Sequence, residues 1–159
     1  MNSGADVEGV FQNSETENPP VFADVGPWCG PETILLVEDE AFVRKATAEV
    51  LESAGYRLVV ARSAAEALEA YRSCLWRVDV LLTDVIMPGM SGRDLAVEFA
   101  SLCPRARVLL MSGHDEKLLE LEPFRDGKSC LAKPFSTCEL LRRIREVLDA
   151  NPFDLGTQA

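Results

Sequence analysis

Ile34-Leu35-Leu36-Val37-Glu38-Asp39-Glu40 runs four apolar residues directly into three carboxylates. A half-buried strand would alternate apolar and polar residues, so a short continuous apolar run reads as a strand covered on both faces. Leu58 to Ala61, Val78 to Thr83 and Val108 to Met111 repeat the pattern, and Ser129 to Ala132 supplies a fifth strand. Helix-length segments lie between them. Val43, Ala46, Val50, Leu51 and Ala54 recur at helical spacing, with Gly55 as a left-handed stop. Ser63…Glu66, Ser91…Asp94 and Ser136…Glu139 have the spacing at which a serine caps a new helix. A further short helix is expected between Asp115 and Leu121, cut off by Pro123, Asp126 and Gly127. Strand and helix alternating in this way require right-handed crossovers, hence an α/β, doubly wound parallel sheet with helices on both faces.

The bulk properties fit one such domain. The chain has 159 residues, 47% hydrophobic and 26% charged, which excludes wholesale disorder, collagen and coiled coil. Sixteen Lys and Arg against 26 Asp and Glu leave a formal charge of −10, which repels phosphate backbones and anionic lipid headgroups. Neither nucleic acid nor membrane is an expected partner. No apolar run approaches the ~18 residues of a membrane span, and the first basic residue is Arg44, so no secretory signal is expected and a cytoplasmic location is. Cys29, Cys74, Cys103, Cys130 and Cys138 form no C-x-x-C pair and are expected to be reduced and mostly buried. Residues 1–31 hold five acidic residues, no Lys or Arg and eight Gly or Pro, and read as a disordered acidic tail.

Ligands in open α/β sheets sit beyond the carboxyl ends of the strands, near the point where strand order reverses. There the chain places Glu38, Asp39 and Glu40 after the first strand, Asp84 after the third, Ser112-Gly113 after the fourth and Lys133-Pro134 after the fifth. Carboxylates gathered at one edge are costly unless a cation relieves them, and hard oxygen ligands suit Mg²⁺. With a cation and Lys133 around it, Asp84 is a candidate nucleophile for a phosphoryl group, forming an acyl phosphate, with Ser112 hydrogen-bonding a phosphoryl oxygen.

Four segments then carry a resemblance: Ile34 to Glu40, Leu82-Thr83-Asp84-Val85-Ile86-Met87-Pro88-Gly89-Met90-Ser91-Gly92, Leu110-Met111-Ser112-Gly113 and Leu131-Ala132-Lys133-Pro134-Phe135. Together they resemble the receiver domain of two-component response regulators, most closely the receivers attached to hybrid sensor kinases. The resemblance implies a flavodoxin-like five-stranded sheet in the order 2-1-3-4-5, with residues 32–150 as the receiver domain and residues 151–159 as a C-terminal tail. It implies Asp84 as phosphoacceptor and Asp39 as a direct Mg²⁺ ligand, with Glu38 acting partly through water and the Ile86 carbonyl contributing. Ser112 and Lys133 would read the phosphoryl group, and a cis bond before Pro134 would aim the lysine. Gly92 and Pro88 would shape the turn into the third helix, and Ser63 would cap the second.

One position departs from the family pattern. Cys130 stands where receivers usually carry Tyr or Phe, and a thiol does not fill the volume of a ring. Ile86 and His114 occupy the positions that flank the path of the hydrolytic water, and an apolar Ile86 offers that water no hydrogen bond, so a long-lived or partner-controlled phosphoryl group is expected. Elsewhere the residues are read as structural: Cys130 as a small buried hydrophobe, His114 as an exposed loop residue, and Trp28 and Trp76 without chemistry. Arg142, Arg143 and Arg145 form either a solvated face or part of a partner surface.

The resulting expectation is a single-domain response regulator in a phosphorelay, since only ten residues follow Asp149. It would accept a phosphoryl group from a sensor histidine kinase or histidine phosphotransfer protein, with Mg²⁺, and signal through a protein partner or onward transfer. It is no enzyme beyond catalysing its own phosphorylation and dephosphorylation. A phosphorylation-independent interaction module is the alternative, supported by Cys130. A Mg²⁺-dependent phosphohydrolase is disfavoured, because Asp84-Val85-Ile86 lacks the second carboxylate of Asp-x-Asp.

Overall fold

Thr33–Val37 forms β1, and all five of its residues are buried. The reason is visible in the computed structural model, which describes residues 30–75, 77–113 and 129–150. After β1 come α1 (Ala41–Ser53), β2 (Arg57–Ala61), α2 (Ala64–Ser73), β3 (Val80–Asp84), α3 (Gly92–Leu102), β4 (Arg107–Ser112), β5 (Cys130–Ala132) and α4 (Thr137–Asp149). The strands are parallel and ordered β2-β1-β3-β4-β5. Alternate residues of the central strands feed opposite cores. Leu35, Val37, Leu81 and Leu110 pack with Ala67, Leu95 and Phe99 of α2 and α3. Ile34, Leu36, Leu82 and Met111 pack with Leu51, Leu140 and Ile144 of α1 and α4. Each fully buried leucine contributes about 1.5–3 kcal/mol, so the unbroken apolar run in β1 stabilises both layers at once.

Three helices begin as their capping serines predict. Ser63, Ser91 and Ser136 accept from the backbone N–H of Glu66, Asp94 and Glu139 at 3.2, 3.1 and 3.1 Å. Helix α1 ends before Gly55, whose φ of +90° lies in the left-handed region.

Three expectations are corrected. Leu58 to Ala61 is not covered on both faces: Leu58 and Val59 are half-buried and Val60 is exposed, because β2 is an edge strand and only β1 flanks it. Strand β3 starts at Val80 rather than Val78 and includes Asp84. Asp79 stands outside it, with its N–H donating to the Thr33 carbonyl at 2.8 Å and its carboxylate accepting the Thr33 N–H at 3.0 Å. The described thiols form no disulfide with one another, as expected, but they are not mostly buried. Cys130 is buried, Cys74 and Cys103 are half-buried at helix ends, and Cys138 is exposed in the first turn of α4, off the face that carries Leu140, Leu141 and Ile144. The expected helix over 115–121, His114, Cys29, Trp28, Trp76 and nearly all of both tails lie outside the described residues.

Candidate functional site

Strand register decides which side chains meet. Val37 pairs with Thr83 and Asp84 with Met111, while Ser112 pairs with Ala132. Glu38, Asp84, Ser112 and Lys133 therefore stand in a row at the carboxyl ends of β1, β3, β4 and β5. The Lys133 N–H donates to the Ser112 carbonyl at 2.8 Å, which locks the two backbones side by side. The peptide bond between Lys133 and Pro134 is cis, as the resemblance implied.

The lysine closes the row. Its Nζ donates to Glu38 Oε2 at 2.6 Å and to Asp84 Oδ2 at 3.0 Å. Glu38 is 1% exposed and its other carboxylate oxygen accepts the Glu40 N–H at 3.1 Å. Burial pushes the Glu38 carboxyl above the ordinary glutamate range, and this outweighs the hydrogen bonds from Lys133 and Glu40. Burial pulls the Lys133 ammonium down, but the bonds to Glu38 and Asp84 more than offset it and hold the lysine above its ordinary value.

Asp84 is fixed from three sides. The Ile86 N–H donates to its Oδ1 at 3.2 Å, and Thr83 Oγ1 donates to its carbonyl at 3.0 Å. Gly92, at the start of α3, presses on the same carbonyl: a Cβ there would lie 1.7 Å from Asp84 O. Only glycine permits that approach. The Gly92 N–H donates to the Val85 carbonyl at 2.9 Å, so the turn is bound to the strand it follows.

Carboxylate oxygens of Glu38, Asp39 and Asp84 lie within 4.8 Å of one another. Three convergent hard oxygen donors, one of them from the exposed Asp39, suit a Mg²⁺ ion that keeps several waters. The residues present thus fit the expected cation. The structure brings together Glu38, Asp39, Asp84 and Lys133, sets Ser112 beside them on β4, and leaves the Ile86 side chain 64% exposed at the rim. Cys130 is buried on the α2 and α3 side of the sheet, as expected of a small hydrophobe.

Sequence reasoning missed Thr83 and Arg44. Thr83 was hidden inside an apolar run. Arg44 donates from Nη1 to the carbonyls of Glu38 at 2.8 Å and Asp39 at 3.1 Å. Its signal was a cation in the first turn of a helix, the end where cations are disfavoured. The C-terminal arginines are engaged within the chain. Arg142 and Arg143 pair with Glu146, Arg143 also donates to the Cys130 carbonyl, and Arg145 pairs with Glu32 and Asp149.

A family model described as the response regulator receiver domain matches residues 34–145. The chain is 36% identical over 121 residues to the sensor kinase CckA of Brucella abortus, a match that covers 76% of this chain and 13% of that protein. It is 28% identical over 116 residues to the chemotaxis protein CheY of Thermotoga maritima, covering 72% of this chain and 95% of the relative. Several curated relatives are longer than the matched region; the match spans 50% of the transcriptional regulatory protein YbdJ of Bacillus subtilis. A putative response regulator from Chloroflexus aurantiacus superposes with a TM-score of 0.68 at 30% identity, covering 76% of this chain and 100% of that structure. Among the described residues no helix is long and apolar enough to cross a membrane. The family match spans the carboxylates that follow β1 and end β3 and the lysine that follows β5 in a single alignment, and the chain belongs to the response regulator receiver domain family.

Proposed function

We propose that the protein accepts a phosphoryl group on Asp84 from a phosphohistidine of a sensor histidine kinase or histidine phosphotransfer protein, and signals to a protein partner or passes the group onward. The observation that carries this reading is the Lys133 ammonium held against Glu38 and Asp84 at the carboxyl edge of the sheet. In the transfer an Asp84 carboxylate oxygen attacks phosphorus. A P–O bond forms, the P–N bond breaks and its electron pair returns to the imidazole. Lys133 is already hydrogen-bonded to the acceptor and shifts one donor to a phosphoryl oxygen as negative charge builds there. Ser112 supplies a hydroxyl to another. The Ile86 N–H and the Thr83 hydroxyl keep Asp84 in line for attack.

Glu38, Asp39 and Asp84, with the Ile86 carbonyl, would hold Mg²⁺, which when bound neutralises charge on the phosphoryl oxygens. The protein acts on itself and turns over no external substrate, and the proposed setting is the cytoplasm. Intact-mass spectrometry after incubation with acetyl phosphate and Mg²⁺ tests the reading. One phosphoryl adduct is expected, abolished by a chelator and by Asp84→Asn. No adduct from acetyl phosphate, and none from a panel of sensor kinases, would replace it with a phosphorylation-independent interaction module.

A further inference from the structure

Arg44 has no place in the transfer chemistry, yet its contacts converge on the acidic loop. One nitrogen, Nη1, carries two protons and donates one to the Glu38 carbonyl at 2.8 Å and the other to the Asp39 carbonyl at 3.1 Å. Helix stability does not account for an arginine there. A cation in the first turn opposes the helix dipole, that turn carries no acidic residue, and Glu40 at the N-cap makes no side-chain cap. Asp39 is exposed, so packing does not fix it. Its neighbour Glu38 is held by Lys133 and the Glu40 N–H.

We infer that Arg44 is a positioning residue for the divalent cation: by clamping the peptide carbonyls of Glu38 and Asp39, its guanidinium sets the direction in which the Asp39 carboxylate meets the metal. The inference rests on the reading of Glu38, Asp39 and Asp84 as the Mg²⁺ site. Two physical effects of removing Arg44 have opposite signs, which makes the role measurable. If the arginine acted only as a nearby positive charge, its loss would relieve repulsion and tighten Mg²⁺ binding. If it orients a ligand, its loss weakens binding, as the removal of outer-shell partners does by about 10–100-fold.

Calorimetric titration of the full chain with Mg²⁺ separates the two, using wild type, Arg44→Ala, Arg44→Met and Arg44→Lys. Thermal unfolding in chelator confirms that each variant is folded. Arg44→Met keeps the apolar stem and carries the test if Arg44→Ala does not fold. Mg²⁺ affinity is expected to fall about tenfold in Arg44→Ala and Arg44→Met. Arg44→Lys should recover part of it, because the ammonium retains donors but lacks the fixed fork. Unchanged or tighter Mg²⁺ binding in a folded Arg44→Ala or Arg44→Met would overturn the inference. A wild type that binds no Mg²⁺ would bring down the metal reading itself, and the inference with it.

Discussion

Lys133 and Glu38 form the tightest contact in the site, 2.6 Å from ammonium to a carboxylate that is 1% exposed. The same ammonium reaches Asp84 at 3.0 Å. The buried glutamate thus anchors the lysine, and the lysine delivers its remaining donors to the acceptor. Replacing Lys133 with Met removes that delivery and leaves Glu38 with burial and the Asp84 charge, both of which raise its pKa. The Glu38 carboxyl, followed by NMR in chelator, should titrate higher in Lys133→Met than in wild type. The unfolded reference is near the ordinary glutamate value of 4.5, and a folded-state pKa raised above it lowers stability as pH rises through it. The deficit of Lys133→Met relative to wild type should therefore be small below pH 4.5 and grow above it, to about 1–3 kcal/mol near neutrality. A deficit that shrinks as pH rises would contradict this.

Gly92 and Gly89 make a matched pair. A Cβ at Gly92 would sit 1.7 Å from the Asp84 carbonyl, whereas one at Gly89 meets nothing within 4 Å and suffers only from a φ of +82°. Gly92→Ala should cost about 2–3 kcal/mol in urea unfolding and slow adduct formation, because Asp84 has to shift. Gly89→Ala should cost about 1 kcal/mol through backbone conformation alone.

Arg145 holds Glu32 at 2.9 Å, on the far side of β1 from the site. The other Glu32 oxygen is buried without a hydrogen-bond partner, so loss of the arginine strands the carboxylate. The pair is 21% and 25% exposed, wetter than a core ion pair and drier than a surface one. Arg145→Met should destabilise by about 1–2 kcal/mol in chemical denaturation and leave the adduct rate unchanged.

Ile86 is 64% exposed beside Asp84, and its side chain offers no hydrogen bond to an attacking water. Ile86→Asn should shorten the lifetime of the phosphorylated protein about fivefold, the value of one hydrogen bond of about 1 kcal/mol. An unchanged decay, followed by intact mass after removal of the donor, would remove this residue from the account of phosphoryl lifetime.

Most of the architecture was legible because its signals are local. A run buried on both faces cannot alternate, which marked β1, and a serine that accepts the N–H three residues on is a sequence-level start, which placed α2, α3 and α4. Exposure of β2 was not legible, since edge and central strands share the same apolar residues and only the order of strands separates them. The site residues that could be read were those whose charge breaks an apolar run: Glu38, Asp39, Asp84 and Lys133. Thr83 breaks nothing, and its hydroxyl acts only on the neighbouring peptide. Arg44 acts on carbonyls, which carry no sequence identity, so only its awkward place in the helix hinted at a role.

In the proposed transfer Asp84, and no other carboxylate of the cluster, carries the phosphoryl group. Borohydride reduction of the acetyl phosphate-treated protein, followed by peptide mass spectrometry, reads it directly, because an acyl phosphate is reduced and an ordinary carboxylate is not. Homoserine is expected at position 84 alone, and not when chelator is present during phosphorylation. Reduction at Asp39 or Glu38 with Asp84 intact would contradict it.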